Sequence, residues 1–173
     1  KNNMKIIDTF SADTLQMIGS NPIQEGSFLD FRAVNGKLEE VNLGDVTAHF
    51  KVISVVPSLD TGVCMTQTEK LNKFIAAQAG VLITVSMDLP FASKRACHFA
   101  HARNHLLWSD YLYHDFAQKT DFFMPSCGLL CRAVLVLDDN NQIIYRQIAN
   151  PVKSAVNFSQ LIAFLTSHFG ART

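Results

Sequence analysis

Two short β-branched runs with a helical stripe between them constrain this chain more than any other feature. Residues 51–56 read Lys-Val-Ile-Ser-Val-Val and residues 81–86 read Val-Leu-Ile-Thr-Val-Ser, continuous apolar runs of the kind found in buried strands. Between them Cys64, Thr68, Leu71, Ile75 and Ala79 recur at helical spacing, and Gly80 follows as a stop. Strand, helix, strand at this separation makes a βαβ unit. Its two strands lie parallel and its crossover is right-handed.

The remaining chain adds elements to that unit. Asp88-Leu89-Pro90 opens a second helix that is read through Cys97 to about Ala102. Residues 115–119 are read as helical and residues 121–130 as an irregular loop. Residues 132–137 form another apolar run, Asp138-Asp139-Asn140-Asn141 a turn, and residues 142–148 an antiparallel return. Phe158, Leu161, Ile162, Leu165 and Phe169 make a helical stripe closed by Gly170. Upstream, residues 28–34 and 37–41 flank Asn35-Gly36, a hairpin turn signal. A βαβ unit followed by ββα is the thioredoxin arrangement. The expected architecture is α/β, a thioredoxin-like fold with a central mixed sheet flanked by helices and an N-terminal β-hairpin as an embellishment. No linker, repeat or biased segment interrupts the 173 residues, so one domain over 1–173 is expected.

Charge and cysteine usage narrow the function. Lysine plus arginine total 15 against 15 aspartates plus glutamates, a balance that supplies no field for a phosphate backbone and argues against nucleic acid as a partner. No apolar run is long enough to cross a bilayer, and residues 1–8 lack the apolar segment of an export signal. No membrane partner and a cytoplasmic location are therefore expected. The four cysteines, Cys64, Cys97, Cys127 and Cys131, are too few for a disulfide-stapled scaffold. They are either inert thiols or redox groups, and composition does not choose between them.

Position singles out Cys64. It follows a strand, Pro57 and a helix start rich in capping residues, namely Ser58, Asp60 and Thr61. A helix N-terminus presents unpaired N–H groups and partial positive charge. A cysteine there has its thiolate favoured, and the thiolate is the form that attacks an O–O bond. Thr61, three residues earlier, offers a hydroxyl to a bound peroxide oxygen. Pro57, rigid and lacking an N–H, shields the sulfur from water and over-oxidation. A lone cysteine at a helix start is more often a small apolar residue; the conjunction of Pro57, Thr61 and Cys64 is what favours catalysis.

These residues carry a family resemblance. Val55-Val56-Pro57-Ser58-Leu59-Asp60-Thr61-Gly62-Val63-Cys64 resembles the peroxiredoxin active-site pattern of a proline, a threonine or serine, and the peroxidatic cysteine. It looks like the bacterial thiol peroxidase branch, the atypical two-cysteine peroxiredoxins. Asp88-Leu89-Pro90-Phe91-Ala92-Ser93-Lys94-Arg95-Ala96-Cys97 resembles that branch's resolving-cysteine helix. Arg132-Ala133-Val134-Leu135-Val136-Leu137-Asp138 is similar to the strand bearing the family's arginine. The likeness spans most of residues 22–168.

The resemblance implies a thiol-dependent peroxidase acting on alkyl and hydrogen peroxides, with no cofactor and no metal. Cys64 is then the peroxidatic cysteine and Cys97 the resolving one. Thr61 and Pro57 shape the pocket, and Arg132 holds thiolate and peroxide. Thioredoxin is the implied reductant and a homodimer the implied assembly. Because a disulfide needs Cα atoms within about 7 Å, and two packed helices rarely bring cysteines that close, both helix ends are expected to loosen in turnover.

The stretch from His98 to Leu130 matches that family poorly, and Cys127 and Cys131 fall outside its pattern. Alternating strand geometry would turn Cys131 away from the face that Arg132 occupies, as a buried thiol. Cys127, in a Pro-Ser-Cys-Gly loop, is read as exposed; either is a rival resolving partner. His98, His101 and His105 share a helical face if the helix extends that far, which with Cys97 allows a zinc site. The weightier reading is a solvated polar face, since a metal would occupy the thiol that turnover needs. Trp108, Tyr111, Tyr113, Phe122 and Phe123 are read as core and interface. Two other functions compete: a thioredoxin-like thiol-disulfide oxidoreductase or redox sensor, weakened because Gln67 stands where a Cys-x-x-Cys partner would, and a non-catalytic metal-binding domain.

Overall fold

A computed structural model describes residues 10–60, 65–96 and 104–170. Among them the order is α1 (Thr14–Met17), β1 (Arg32–Asn35), β2 (Glu40–Asn42), a short 3-10 turn, β3 (Lys51–Val55), α2 (Met65–Ala77), β4 (Val81–Ser86), α3 (Pro90–Ala96), β5 (His105–Ser109), α4 (Asp115–Thr120), β6 (Phe123–Met124), β7 (Leu129–Leu130), β8 (Ala133–Leu137), β9 (Ile143–Ile148) and α5 (Phe158–Phe169). Seven of these strands form one sheet in the order β2-β1-β5-β4-β3-β8-β9.

The predicted βαβ unit is present. β3 and β4 run parallel with Lys51 opposite Val81 and Val55 opposite Val85, and β8 and β9 lie antiparallel beyond β3. The thioredoxin-like core is thus β4-β3-β8-β9, and β5, β1 and β2 widen it at the β4 edge. Strand alternation splits the apolar residues between two faces. Val52, Leu82, Val134 and Val136 pack under Leu71 and Ile75 of α2 and Leu161 and Leu165 of α5. Ile53, Val55, Ile83, Val85, Ala133 and Leu135 turn the other way, onto Phe31, Trp108, Phe116, Phe122 and Leu130. Both faces of the central strands are covered, which is why those strands read as unbroken apolar runs.

Three elements differ from expectation. Strand β5 is an addition to the expected elements: its apolar core of Leu106, Leu107 and Trp108 is only three residues long, too short for periodicity to tell strand from helix, and it pairs parallel with β4 from Leu82–His105 to Ser86–Ser109. Residues 121–130, read as a loop, hold the β6–β7 hairpin, with Phe123 opposite Leu130. The N-terminal hairpin is shorter than 28–34 and 37–41: Phe28 makes only an isolated bridge to Gln142, and Val34 pairs with Glu40. Its turn is not a two-residue Asn-Gly turn. Asn35 Oδ1 accepts from the Lys37 and Glu39 amides at 2.9 and 3.1 Å, and Leu38, not Gly36, takes the left-handed conformation at φ 66°.

Candidate active site

The site is built at one edge of the sheet, where the parallel strands β3, β4 and β5 end. In open α/β sheets that carboxyl edge is where ligands bind. Val56 continues β3 by donating its amide to Val85 O at 3.1 Å. Pro57 comes next and is buried, and the chain turns through Ser58, Leu59 and Asp60. The Ser58 hydroxyl accepts from the Asp60 amide at 3.2 Å, a local serine turn. Thr61 and Cys64 lie outside the described residues, as does Cys97; α2 begins at Met65, one residue after Cys64, and α3 ends at Ala96, one before Cys97.

Because β8 is antiparallel to β3, its beginning lies at the same edge. Val55 pairs with Ala133, so Arg132 stands beside the strand just ahead of Pro57. Alternation sets its face. Cys131, Ala133, Leu135 and Leu137 belong to the core away from α2, whereas Val134 and Val136 pack toward α2 and α5. Arg132 shares parity with the latter pair and therefore faces the side of the sheet that carries α2. Its Nε donates to Val152 O at 3.3 Å, its carbonyl accepts from the Ala149 amide at 2.8 Å, and partial burial lowers its pKa. A guanidinium remains charged even so. The fold thus brings a buried proline and a half-buried arginine to the segment that leads into Cys64.

One carboxylate organises this edge, and no role for it was read from the sequence beyond opening a helix. Asp88 Oδ2 accepts from the Leu59 amide at 2.6 Å and from the Ser86 hydroxyl at 3.2 Å. Oδ1 accepts from the Ser58 hydroxyl at 3.0 Å. The Asp88 carbonyl takes the Ser109 hydroxyl, at the end of β5. An aspartate two residues before Pro90 reads as a helix-start residue, so the only sequence signal was a serine and an aspartate with no local reason to meet.

Comparison with known proteins places this arrangement. The Redoxin family model matches residues 21–162. The thiol peroxidase of Staphylococcus aureus (strain COL) is 38% identical over 156 residues, covering 90% of this chain and 94% of that protein. The thiol peroxidase of Streptococcus pneumoniae (strain ATCC BAA-255 / R6) is 38% identical over 156 residues, covering 90% and 96%. Among solved structures, a peroxiredoxin-like protein from Aquifex aeolicus superposes with a TM-score of 0.74 at 30% identity, covering 87% of this chain and 90% of that one. The chain belongs to the thiol peroxidase family. A thiol peroxidase structure from Chromobacterium violaceum, at TM-score 0.74 and 20% identity over 87% of this chain and 90% of that one, shares the fold.

Cys127, Cys131 and His105 take definite places in this fold. Cys131 is fully buried, and desolvation pushes its thiol up to about 12, so at neutral pH it is protonated and unreactive. Cys127 is half-buried rather than exposed, in the β6–β7 turn, with its Sγ 3.7 Å from Met124 O. His98 and His101 lie outside the described residues. His105 does not continue a helix. It is the first residue of β5, with Nε2 2.9 Å from Thr84 Oγ1 on β4, and burial lowers its pKa to about 4. A helical face shared by all three histidines is therefore absent. Trp108 and Phe122 are core residues as expected. No helix among the described residues is long and apolar enough to cross a membrane.

Proposed function

We propose that this thiol-dependent peroxidase works through Cys64 as the peroxidatic cysteine and Cys97 as the resolving cysteine, with Pro57, Thr61 and Arg132 forming the peroxide pocket. The observation that carries the reading is the pairing of Val55 with Ala133, which sets Arg132 beside the turn leading into Cys64 and on the α2 side of the sheet. The cationic donors and the helix start then act together on one sulfur.

The chemistry proceeds in balanced steps. The Cys64 thiolate attacks the nearer oxygen of a hydroperoxide; an S–O bond forms, the O–O bond breaks, and the departing alkoxide or hydroxide takes up a proton. Sulfur is oxidised by two electrons to the sulfenic acid. The Cys97 thiolate attacks that sulfur, an S–S bond forms, and the hydroxyl leaves as water after protonation. An external dithiol, with thioredoxin as the proposed donor, reduces the disulfide by exchange and is itself oxidised. The proposed setting is the cytoplasm, where such dithiols are maintained, and the proposed assembly is a homodimer of chains that each fold as one domain over 1–173.

Stopped-flow mixing with cumene hydroperoxide tests the assignment. Cys64→Ser is expected to lose at least about a thousandfold in rate, the scale for removing a nucleophile. Cys97→Ser is expected to give one turnover and then stall. Sustained turnover by Cys64→Ser would reject the assignment of the nucleophile. Sustained turnover by Cys97→Ser would transfer the resolving role to another thiol.

A further inference from the structure

We propose that Asp88 is a positioning residue for peroxide reduction, holding the turn ahead of Cys64 in its attack-ready arrangement through a carboxylate that ties that turn to the start of α3. This rests on Cys64 and Cys97 having the roles proposed above. The geometry is specific. One oxygen takes the Leu59 amide at 2.6 Å and the Ser86 hydroxyl at 3.2 Å, and the other takes the Ser58 hydroxyl at 3.0 Å. Two of those donors belong to the three-residue stretch between Pro57 and Thr61, and the third to the last residue of β4.

The carboxylate is itself anchored. Its own amide donates to the Ser86 hydroxyl at 3.2 Å, its carbonyl takes the Ser109 hydroxyl, and the Asp110 amide donates to Ser86 O at 2.9 Å. Asp88 is thus fixed to the ends of β4 and β5 and reaches across to β3's exit. The Ser58–Asp60 contact spans only two residues of the turn, whereas Asp88 ties the turn to strands distant in sequence. An ionised carboxylate accepting from a backbone amide makes a short, strong hydrogen bond. A nucleophile displaced by 1 Å can lose about a hundredfold in rate, so a tie on the segment five and six residues upstream bears on the reaction directly.

The same residue begins the chain segment that ends at Cys97. Peroxide attack and disulfide formation therefore ask opposite things of it. Attack needs the turn held, whereas the proposed disulfide step loosens both helix ends so that Cys64 and Cys97 meet. Asp88 is expected to favour the first step and restrain the second.

Single-turnover kinetics on the reduced full-length chain test this, with Cys64 oxidation and disulfide formation resolved as separate phases and the Cys64 pKa measured from thiolate absorbance. Asp88→Asn is expected to slow oxidation about tenfold and to leave disulfide formation unchanged or several-fold faster. The Cys64 pKa should be unchanged or lower. Removing a negative charge favours a thiolate, so slower attack without a raised pKa reports geometry rather than electrostatics. Ser58→Ala removes one donor without touching the carboxylate and is expected to shift both phases in the same directions by a smaller factor; it keeps the test open if Asp88→Asn fails to fold. Equal slowing of both phases, or unchanged oxidation in both variants, would overturn the proposal. Cys64→Ser run alongside separates the cases: residual rapid turnover there defeats the assignment of the nucleophile, not the role of Asp88.

Discussion

His105 carries the most consequential ionisation outside the proposed site. Its imidazole sits between β4 and β5 against Thr84, and burial lowers its pKa from 6.5 to about 4. Above pH 6.5 the ring is neutral in both folded and unfolded chains and costs nothing. As pH falls through 6.5 the unfolded chain binds a proton that the folded chain refuses, so stability declines until the folded ring titrates near pH 4. The full shift corresponds to about 3 kcal/mol. Urea unfolding between pH 7 and pH 4 should therefore lose stability more steeply in the native chain than in His105→Leu. Parallel pH profiles would show that the ring does not contribute. His105 was legible as a polar residue at helical spacing from His98 and His101, but not as a strand residue. Three histidines at such spacing look the same whether or not the helix reaches the last of them.

At the scale of elements, helix ends show where local rules hold and where packing overrides them. The end of α2 was read from Gly80, but the left-handed residue is Ala79, at φ 59°. Gly80 serves a different purpose. It donates its amide to Ile75 O at 2.9 Å, and a Cβ there would lie 2.5 Å from Phe50 Cζ and 2.8 Å from Ile75 Cγ2. Phe50 cannot withdraw easily, since it is buried and stacks on Phe169 with ring centroids 4.1 Å apart. Gly80→Ala is expected to destabilise by about 1–3 kcal/mol, the usual scale for overpacking, measured by chemical denaturation; a neutral effect would mean that α2 and α5 yield.

The start of α4 tells a similar story. His114 precedes the helix in a left-handed conformation without a side-chain cap. The capping falls to the buried Asp110, whose oxygens accept from the Phe116 and Ala117 amides at 2.9 Å each. Burial raises the Asp110 pKa, with the two amides opposing that rise. A helix start is legible when its cap is adjacent. A cap six residues away becomes visible only once the intervening turn has folded back.

Across the whole molecule, the two apolar layers share the same central strands. Ile53 and Val55 face one layer while Val52 faces the other, so neither layer can dissolve without exposing strands that the other requires. Trp108, the only tryptophan, is buried in the first layer and meets Phe31 edge-on at 5.8 Å. The α5 helix covers the second layer. Tryptophan fluorescence and far-ultraviolet dichroism are therefore expected to report one coincident unfolding transition in denaturant. Two separated transitions would mean that the widened β5-β1-β2 edge unfolds independently of the thioredoxin-like core.

What the amino-acid order determined alone was the βαβ unit, the β8–β9 return, the final helix and the candidate cysteines. Each depends on periodicity or on contiguous motifs, and those are written locally. Strand β5, the place of His105 and the carboxylate bridge from Asp88 to Ser58 and Leu59 were decided by tertiary structure. Leu106, Leu107 and Trp108 become a strand because β4 presents an unpaired edge with both faces covered. Asp88 meets Leu59 because two parallel strands end side by side, a proximity between residues 29 apart that no spacing rule encodes. Arg132 belongs to both accounts: its motif marked it, and only the antiparallel register of β8 on β3 brought it beside Pro57.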